Sequence, residues 1–545
     1  MKGVVAVVLT LGLCVGVIGT ALCAGPPAQE KAAPWVQAFT PVRTIYVSPD
    51  GTGTGASRDS AMGFKAAVDA SQPGDLIWML EGEYKGGFDF TRSGEPDKPI
   101  VYRAMPGNRV TINGPVNVLA GYIWLWGIEF IDPAPLKTGL RYIAHVVRVS
   151  APGAHVINCI IHNCGGGIGG WVGGPQNVFY GNIIYGMGGD VGSPGARPSH
   201  PAGMESNYPA YTQSDYDKHG CKYWVQNMFF DSTAQYPAYG FNFHGYTQES
   251  CVSGFYLKQN LFAVGQMIIG ATKNPPHHTV VIENCFYKGN RARLGFTKPT
   301  QAEFRNNYLV DTCLDWVEFP GEGEKKFPMP LPDVVTGNEI YAPEWAKSHI
   351  YFQTSACLED DTLSKGAPRI KPDDVWDNNT YSAPVHIAFH AAGKNLGIDK
   401  DRKTAGPLDL KGWQAETRAA GNEFDAHGRT VPLPTEPKVF IFANEYEPGR
   451  AHVIIYNWSK ADAVAADLSA VAAKGAAFTV HAAKRSFDKP IVEGKYEAPV
   501  AIPMKGEEFG AFLVRAETPP SLAPRDFKSP ISDLRSIDAP GGRQL

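Results

Sequence analysis

The middle of the chain repeats one short phrase, an Asn followed within a few residues by a pair of apolar residues. The phrase occurs eight times, and successive copies lie 24, 45, 33, 24, 23, 31 and 41 residues apart. Repeats with a period of about 20–50 residues are typical of solenoids, in which each unit packs mainly on its two neighbours. The shortest spacing fits one coil of three short strands and three turns, and the longer ones fit a coil plus a loop. The sequence therefore predicts a β-solenoid with one Asn per coil: Asn158, Asn182, Asn227, Asn260, Asn284, Asn307, Asn338 and Asn379.

The repeated Asn predicts a hydrogen-bonded ladder along the solenoid. Stacked coils lie about 4.8 Å apart, so equivalent side chains form a column. An Asn in such a column can donate its amide to one neighbour and accept from the other, as in cross-β ladders. We expect one earlier coil, in the segment YIWLWGIEF, with Gly127 at the ladder position.

Composition agrees with a β-rich, turn-rich protein. The 545 residues include 59 Gly and 43 Pro, and 43% are hydrophobic, which is typical of a folded chain with many turns and little helix. The 50 Lys and Arg are balanced by 54 Asp and Glu. This near-neutral charge excludes a general nucleic-acid binder, which needs an excess of cations.

The N-terminus indicates export. Lys2 precedes an apolar run over residues 4–22 that ends in small residues, the pattern of a secretory signal peptide. We expect a signal peptide over 1–24, a linker over 25–43, and a secreted or periplasmic protein without membrane insertion after its removal. An uncleaved membrane anchor is the alternative, because the run is long enough to span a bilayer.

Beyond the repeats, the pattern changes to alternating strands. The segments KVFIFANEY, HVIIYNW, AFTVHAA and EFGAFLVR predict a small β-sandwich. We therefore expect a solenoid over 44–430, a sandwich over 437–516, a disordered tail over 517–545 and a monomer. We also expect the sandwich to close the end of the solenoid against edge pairing.

The first coils resemble a known superfamily. The segment IYVSPDGTGTG, then FKAAVDASQPGDLIWMLEGEYKG and KPIVYRAMPGNRVTING, is similar to the N-terminal cap and first coils of secreted right-handed parallel β-helix proteins of the pectate-lyase-like superfamily. The resemblance implies an all-β fold, a right-handed parallel β-helix, and a carbohydrate-active protein with a polysaccharide as its partner.

The longest insertion is the first place to look for a site. The spacing of 45 residues from Asn182 to Asn227 exceeds one coil by about twenty residues, and long loops are usually functional. Its sequence and the following GFNFHGY resemble a phrase of secreted β-helix proteins that Tyr211, Gln213 and His244 match. At Tyr208 that phrase has His instead, so the resemblance locates a face and names no chemistry.

A polysaccharide lyase acting on uronic acids fits these residues best. It must neutralise the sugar carboxylate, remove the neighbouring proton and protonate the leaving oxygen. A solvated loop is the alternative interpretation. The candidates are catalytic Tyr211, His219, Lys222 and His244, and substrate-binding Tyr208, Gln213, Arg291 and Arg293.

Two other functions stay open. A glycoside hydrolase needs a pair of carboxyl groups, for which Asp190, Glu205, Asp215 and Asp217 are candidates. Asp215 and Asp217 are also candidate Ca²⁺ ligands, since Ca²⁺ prefers carboxylate oxygens, and no other cofactor is indicated. The third possibility is a noncatalytic glycan-binding surface protein.

Overall fold

A computed structural model describes the chain in fourteen segments, and everything below concerns these segments. The chain divides into Met1–Gln37 and Ala38–Leu545, and the account concerns the second unit. No helix of the described part is long and apolar enough to cross a membrane. The described residues are 33–133, 145–170, 176–187, 202–205, 220–230, 239–245, 252–271, 276–295, 300–318, 333–342, 349–354, 374–391, 404–419 and 423–517.

Most strands belong to a right-handed parallel β-helix, which confirms the predicted fold class. Each coil contributes one strand to each of three faces, and corresponding strands of successive coils pair in parallel. The first face consists of Arg43–Ser48, Met62–Gly63, Asp75–Met79, Ile100–Ala104, Ile123–Trp126, His155–Ile157, Val178–Tyr180, Lys222–Val225, Phe255–Lys258, His277–Ile282, Thr300–Arg305, Val334–Thr336 and Val375–Asp377.

The second and third faces form one continuous sheet, because Cys285–Leu294 and Tyr308–Glu318 run from one face into the other. The second face also contains Gly82–Lys85, Val110–Asn113, Glu129–Asp132, Ile160–Cys164, Ile183–Met187, Met228–Phe229, Leu261–Ala263, Glu339–Tyr341, Thr380–Ser382 and Arg429–Val431. The third face also contains Phe88–Phe90, Val116–Val118, His145–Val149, Gly166–Gly170, Ala202–Glu205, Tyr239–Gly245, Gln266–Ala271, Ile350–Thr354, Ile387–Ala391 and the antiparallel Thr404–Leu408.

Inward-facing apolar columns fill the solenoid, as the alternation of strand side chains requires. On the first face the inner column includes Phe179, Trp224 and Leu257, each fully buried. Phe179 stacks on Trp224 with ring centroids 3.9 Å apart. The regular stacking of large side chains explains how many short strands form one continuous core.

The predicted Asn ladder is present but starts one coil later than expected. From Asn182 onward each amide donates to the Oδ1 of the next, at 2.9 Å to Asn227 and 3.0 Å from Asn227 to Asn260. The prediction for Asn158 is wrong. The ladder position of this coil is occupied by Cys159, whose backbone N–H donates to the Oδ1 of Asn182. Asn158 lies one residue earlier and has a φ of +53°. Gly127, with a φ of +69°, is displaced in the same way. The ladder residues are Asn182, Asn227, Asn260, Asn284, Asn307, Asn338 and Asn379.

Short helices lie at both ends of the solenoid. Helix α1 (Phe64–Ala70) buries Phe64, Ala67 and Val68 against the first coils. Helix α2 (Leu410–Ala419) buries Trp413, which packs on Trp376 of the last first-face strand. These helices, with the 3₁₀ turn Arg58–Ser60, cover core side chains that stacking leaves exposed.

The C-terminal region is an antiparallel β-sandwich. Five strands form one sheet and two form the other, with a core of their own that includes Val453, Val480 and Ile502. The 3₁₀ turn Ala483–Arg485 directly follows the strand Ala477–Ala482. The five-stranded sheet contains Lys438–Ala443, Arg450–Tyr456, Ala477–Ala482, Val492–Lys495 and Phe509–Ala516, and the other pairs Ala463–Ala466 with Val500–Pro503.

The sandwich covers the side of the solenoid, so the expectation that it closes the end is wrong. Ile454 and Tyr456 point away from the sandwich core and pack on the outer side of the second face. The strand Arg450–Tyr456 is buried at every position because both of its sides are covered. The second-face residues in this contact include Ile160, Ile183, Met228, Leu261, Cys285 and Tyr308.

A hairpin tip of the sandwich fixes this contact. The Nδ2 of Asn444 donates to the Oδ1 of Asn158 at 2.8 Å, which gives Asn158 its structural role. Tyr446 packs on Trp126 and Tyr180, with ring centroids 5.4 and 5.0 Å apart. Within the described segments, these contacts involve residues of the first and second faces and none of the third.

Candidate functional site

The outer surface of the third face is the candidate site, because the longest insertion joins it. Segments 188–201 and 206–219 precede and follow the third-face strand Ala202–Glu205. Outward positions of successive coils align in one column, which we call the outer column of the third face. From the N-terminal coils onward it consists of Asp89, Asn117, Arg148, Gly169, Gly203, Asn242, Ile268, Arg293, Asp315 and Tyr351.

Two adjacent coils present glycine in this column. Gly169 pairs with Gly203, so neither coil places a side chain over the sheet there. A Cβ on Gly169 would lie 3.0 Å from the Nδ1 of His145. The imidazole of His145 therefore lies directly against Gly169, and the glycine backbone leaves it the room it needs.

Arg148 stands at the N-terminal side of the glycines. It pairs with Asn117 on one coil and Gly169 on the next. Its strand neighbours Val147 and Val149 are fully buried, whereas Arg148 is only partly buried, so its side chain points outward. Among the described residues, Arg148 makes no ion pair, and the Asp89 carboxylate nearby in the column accepts from Asn117 at 2.7 Å.

Asn242 and His244 stand on the other side of the glycines. Asn242 is 7% exposed and pairs with Gly203, while the backbone of His244 pairs with Glu205 and Gly270. For His244 the structure describes the backbone alone, which lies on the strand Tyr239–Gly245. The predicted His244 thus belongs to the same face as His145 and Arg148.

Lys222 lies at a corner of the same coils, on the inner side of its strand. It shares that side with Trp224, and its Nζ lies 3.4 Å from the carbonyl oxygen of Gly170. Burial lowers the pKa of Lys222 to about 7. A lysine with this pKa is divided between ammonium and neutral amine near pH 7, and the neutral amine is a base. Its inward position sets it apart from the outward residues.

The predicted substrate-binding arginines are held by a carboxylate. Arg291 Nη1 lies 3.1 Å and Arg293 Nε 3.8 Å from the Oδ2 of Asp315, whose side chain is 1% exposed. Arg293 Nε also donates to the carbonyl oxygen of Gly295 at 2.9 Å. The structure therefore brings Arg291 and Arg293 together on the third face, with Asp315 as a shared partner.

The second face carries another carboxylate–arginine cluster, next to the sandwich. Glu129 accepts from Arg109 at 2.8 and 2.9 Å and from Thr111 at 2.5 Å, and lies 2.8 Å from His162 Nε2. Burial alone would raise the pKa of Glu129, but the hydrogen bonds from His162, Arg109 and Thr111 outweigh it and lower the pKa to about 2. The ring of Tyr185 stacks on His162. The Glu129 side chain is 1% exposed and contacts three side chains of the protein, which fits a structural role.

Several predicted residues lie outside the described part of the chain. Of the insertion, the backbone of Glu205 is described and that of Asp190 is not. In the described segments no group of three His, Cys, Asp or Glu residues could hold a metal ion. The other predicted residues outside the description are Tyr208, Tyr211, Gln213, Asp215, Asp217 and His219.

Sequence reasoning missed His145, Arg148 and the paired glycines. The third-face strands carry no repeated phrase, so nothing in the sequence aligns Arg148 with Gly169 and Gly203. A usable signal was present in the segment CGGGIGG, since glycines inside a predicted strand indicate a bulge or a close approach of another group.

Comparison with known proteins gives one family match. The family model for Chondroitinase B matches residues 59–165, a stretch that includes His145 and Arg148. Among curated proteins, no sequence gives a significant match.

Several solved structures align with the chain at low identity. A pectate lyase aligns at 15% identity and a TM-score of 0.29, covering 58% of this chain and 75% of its own. A mannuronic acid specific family 6 polysaccharide lyase from human gut microbiota aligns at 14% and 0.40, covering 65% and 77%. A complex of XylC with xylose aligns at 10% and 0.38, covering 86% and 100%. With identities and TM-scores this low, these structures carry no argument about activity.

The family match falls on the first coils of the β-helix. The match to Chondroitinase B covers the cap and the coils up to Cys164, where the sequence analysis placed the resemblance to pectate-lyase-like proteins. The resemblance is therefore confirmed: the chain is a right-handed parallel β-helix, and its first coils are similar to Chondroitinase B.

Proposed function

We propose that the protein is a polysaccharide lyase that cleaves a uronic-acid-containing glycan by β-elimination on the outer surface of the third face. The observation that carries the proposal is the grouping of His145, Arg148 and the glycine pair Gly169 and Gly203 on that surface. It supports binding because an outward arginine and an imidazole lie on the same face as the strand Ala202–Glu205, which the longest insertion flanks. The family match to Chondroitinase B supports the same class of substrate.

The reaction needs one base and one acid. The base removes the proton beside the sugar carboxylate, the released electron pair forms a double bond to the neighbouring carbon, and the bond from that carbon to the bridging oxygen breaks. The leaving oxygen takes a proton from the acid. Tyr211, His219, Lys222 and His244 remain our candidates for these two roles. The pKa of Lys222, about 7, supports a base, while its inward position supports a structural role.

The two described carboxylates of the outer column are each held by a neighbouring side chain. Asp89 and Asp315, both in the outer column of the third face, are engaged by Asn117 and by Arg291 respectively. A glycoside hydrolase needs two available carboxyl groups facing one bond, and these described side chains do not supply them.

The proposal includes a domain organisation that suits an exported lyase. We propose a signal peptide over 1–24, a catalytic β-helix over 44–430 and a sandwich over 437–516. Secretion would bring such an enzyme to polysaccharides outside the cell. N-terminal sequencing of the exported protein tests the cleavage site.

Incubation with acidic and neutral glycans tests the function. Alginate, pectate, chondroitin and dermatan would each be supplied, with xylan as the neutral control. A lyase produces ultraviolet absorbance from unsaturated uronate ends, whereas a hydrolase produces new reducing ends without it. Retention on a glycan column without products would indicate a binding protein and contradict the proposal.

Replacing His244 or Tyr211 with Ala tests the predicted catalytic residues. We expect each variant to lose turnover of the glycan that the wild type cleaves, since each would remove a proton donor or acceptor. Circular dichroism should show an unchanged fold. Wild-type turnover in both variants would remove these two residues from the site.

A further inference from the structure

A buried arginine lies where the sandwich meets the solenoid. In the strand Arg450–Tyr456, alternate residues from Ala451 onward belong to the sandwich core. Arg450 and His452 therefore point to the opposite side, the one from which Ile454 packs on the solenoid. Arg450 is 8% exposed and His452 is 2% exposed. Charged side chains are rarely buried to this degree without a partner, because the lost contact with water must be replaced.

One edge of the Arg450 guanidinium has no partner in the protein. Its Nη1 lies 3.6 Å from the Oε2 of Glu447. Its Nε and Nη2 make no hydrogen bond within the described part of the chain, and neither does the Nε2 of His452. Buried donors without a protein partner indicate a bound water molecule or ion.

Two other arginines of the chain show what such an edge binds. Arg109 donates through Nε and Nη2 to the two carboxylate oxygens of Glu129, at 2.9 and 2.8 Å. Arg43 uses the same two nitrogens for the carboxylate of Asp75. In both pairs the Nε and Nη2 donors point in one direction and meet negative charge. The unused edge of Arg450 therefore has the geometry of an anion site.

Positive charge is in excess around Arg450. Its partner on the neighbouring strand is Arg515, and burial, together with the charge of Arg450, lowers the pKa of Arg515 to about 10. Glu447 also accepts from Trp126 Nε1 and lies 3.9 Å from the Nη2 of Arg103. This one carboxylate balances one of three neighbouring guanidinium charges. An anion fits the unused edge better than a water molecule, which carries no charge.

Burial limits the size of the bound group. All seven residues of the strand Arg450–Tyr456 are buried. Tyr180 of the solenoid is also fully buried, and its hydroxyl accepts from the backbone N–H of Glu445 in the sandwich at 2.7 Å. A site enclosed in this way excludes sulfate, phosphate and organic acids and suits an anion of a single atom. Chloride is the abundant anion of this kind.

We propose that Arg450 and His452 bind a chloride ion between the sandwich and the solenoid, with Nε and Nη2 of the arginine and Nε2 of the histidine as donors. Burial lowers the pKa of His452 to about 3, so its imidazole is neutral near pH 7 and has one N–H to donate. The ion compensates a charge that the contact would otherwise bury unbalanced, so it stabilises the docked sandwich. This role is independent of the proposed lyase activity.

Bromide identifies the ion directly, since it replaces chloride and scatters X-rays anomalously. Crystals of the full-length wild type grown in sodium bromide should show an anomalous peak in contact with Nε and Nη2 of Arg450. This measurement needs no variant and no substrate. A water molecule at that position, or no bound group at all, would overturn the proposal.

Melting temperatures test the stabilising role of the ion. When chloride replaces gluconate at constant ionic strength, the melting temperature of the wild type should rise by roughly 3–5 °C, because a ligand that binds the folded state alone stabilises it. Arg450→Met should melt at a lower temperature and lose the response to chloride. Arg485→Met makes the same change at an exposed arginine of the sandwich and should keep the response. Arg450→Lys retains the charge without the two parallel donors and should respond weakly.

The two measurements together decide the proposal. An equal response to chloride in Arg450→Met and the wild type would place the ion elsewhere and overturn the assignment. A bromide peak at Arg450 with a melting temperature that does not depend on chloride would mean an adventitious ion only, and would also overturn it. If Arg450→Met does not fold, the bromide peak and the chloride response of the wild type and Arg485→Met carry the decision.

Discussion

The second and third faces of the solenoid are built from the same coils but meet different surroundings. Outward positions of the second face hold Ile183, Met228 and Leu261, each fully buried beneath the sandwich. The equivalent surface of the third face holds Arg148 and two glycines. Since the inner columns of both faces are equally apolar, the outward residues alone decide which face binds a domain and which can bind a ligand.

Removing the sandwich should have the largest effect of the changes that test this difference between the faces. Deletion of residues 437–517 exposes the apolar column of the second face, and full burial of each such side chain is worth about 1.5–3 kcal/mol. We expect the truncated chain to aggregate, measured by soluble yield and light scattering.

A rescue experiment provides the control for the truncation. In the truncated chain, replacing Ile183, Met228 and Leu261 by Lys should restore solubility, because the second face would then tolerate water as the third does. A truncated chain that stays soluble and monomeric without these changes would contradict the importance of the covered column.

Carboxylates of the two faces should respond differently to replacement. Glu129→Gln removes a buried carboxylate with three hydrogen-bond donors, and we expect a loss on the order of 2 kcal/mol at pH 7. Because its folded-state pKa of about 2 lies below the ordinary 4.5, this stability is present above pH 4.5 and is lost as the pH falls toward 2. Chemical denaturation at several pH values measures the free energy of unfolding. Between pH 4.5 and 2 this free energy should fall less steeply in Glu129→Gln than in the wild type.

Asp89→Asn on the third face is the variant to compare with Glu129→Gln in the same denaturation measurements. Its carboxylate is exposed and accepts from Asn117 alone, so we expect a change within about 0.5 kcal/mol. Equal losses in Glu129→Gln and Asp89→Asn would remove the energetic distinction between the two faces.

Filling the glycine pair should affect activity more than stability. In Gly169→Ala the new methyl group would lie 3.0 Å from the His145 ring, so the imidazole must move by a few tenths of an ångström. We expect a loss of stability below about 1 kcal/mol and a clear loss of turnover on acidic glycan. Gly494→Ala in the sandwich, where the nearest atom is 3.8 Å away, is the matched control, and equal turnover in both variants would argue against a role for the glycine pair.

The scaffold was more predictable than the site because only the scaffold repeats. Coil stacking requires one residue type at one turn, so the ladder from Asn182 to Asn379 is visible as a spacing. The register of the first copies was off by one, because Asn158 fits the phrase while its neighbour Cys159 occupies the ladder position. Position in a repeat does not reveal whether an Asn amide meets the next coil or, as here, the sandwich residue Asn444.

The site was harder to predict because it depends on pairing between coils. Arg148 and Gly203 are 55 residues apart and belong to one surface only through the strand register. The position of the sandwich on the solenoid is equally hidden, since the apolar run VIIY within Arg450–Tyr456 fits a strand buried on both sides without naming the partner. Lys222 and His244 stay predictions, and the sequence singled them out because a long insertion lies close to them.

The Asn ladder has a direction, and that direction explains how the solenoid stops. Every amide donates toward the C-terminus, so the last one needs an acceptor that does not itself have to donate further. Asp425 supplies it: its Oδ1 accepts from Asn379 at 2.8 Å, and its Oδ2 accepts from Tyr381 and Trp413. An Asn at position 425 would point its NH₂ group at these donors, whereas the carboxylate only accepts and so ends the ladder. A protein lengthened by inserted coils would therefore need an Asp at the equivalent position after its new last coil.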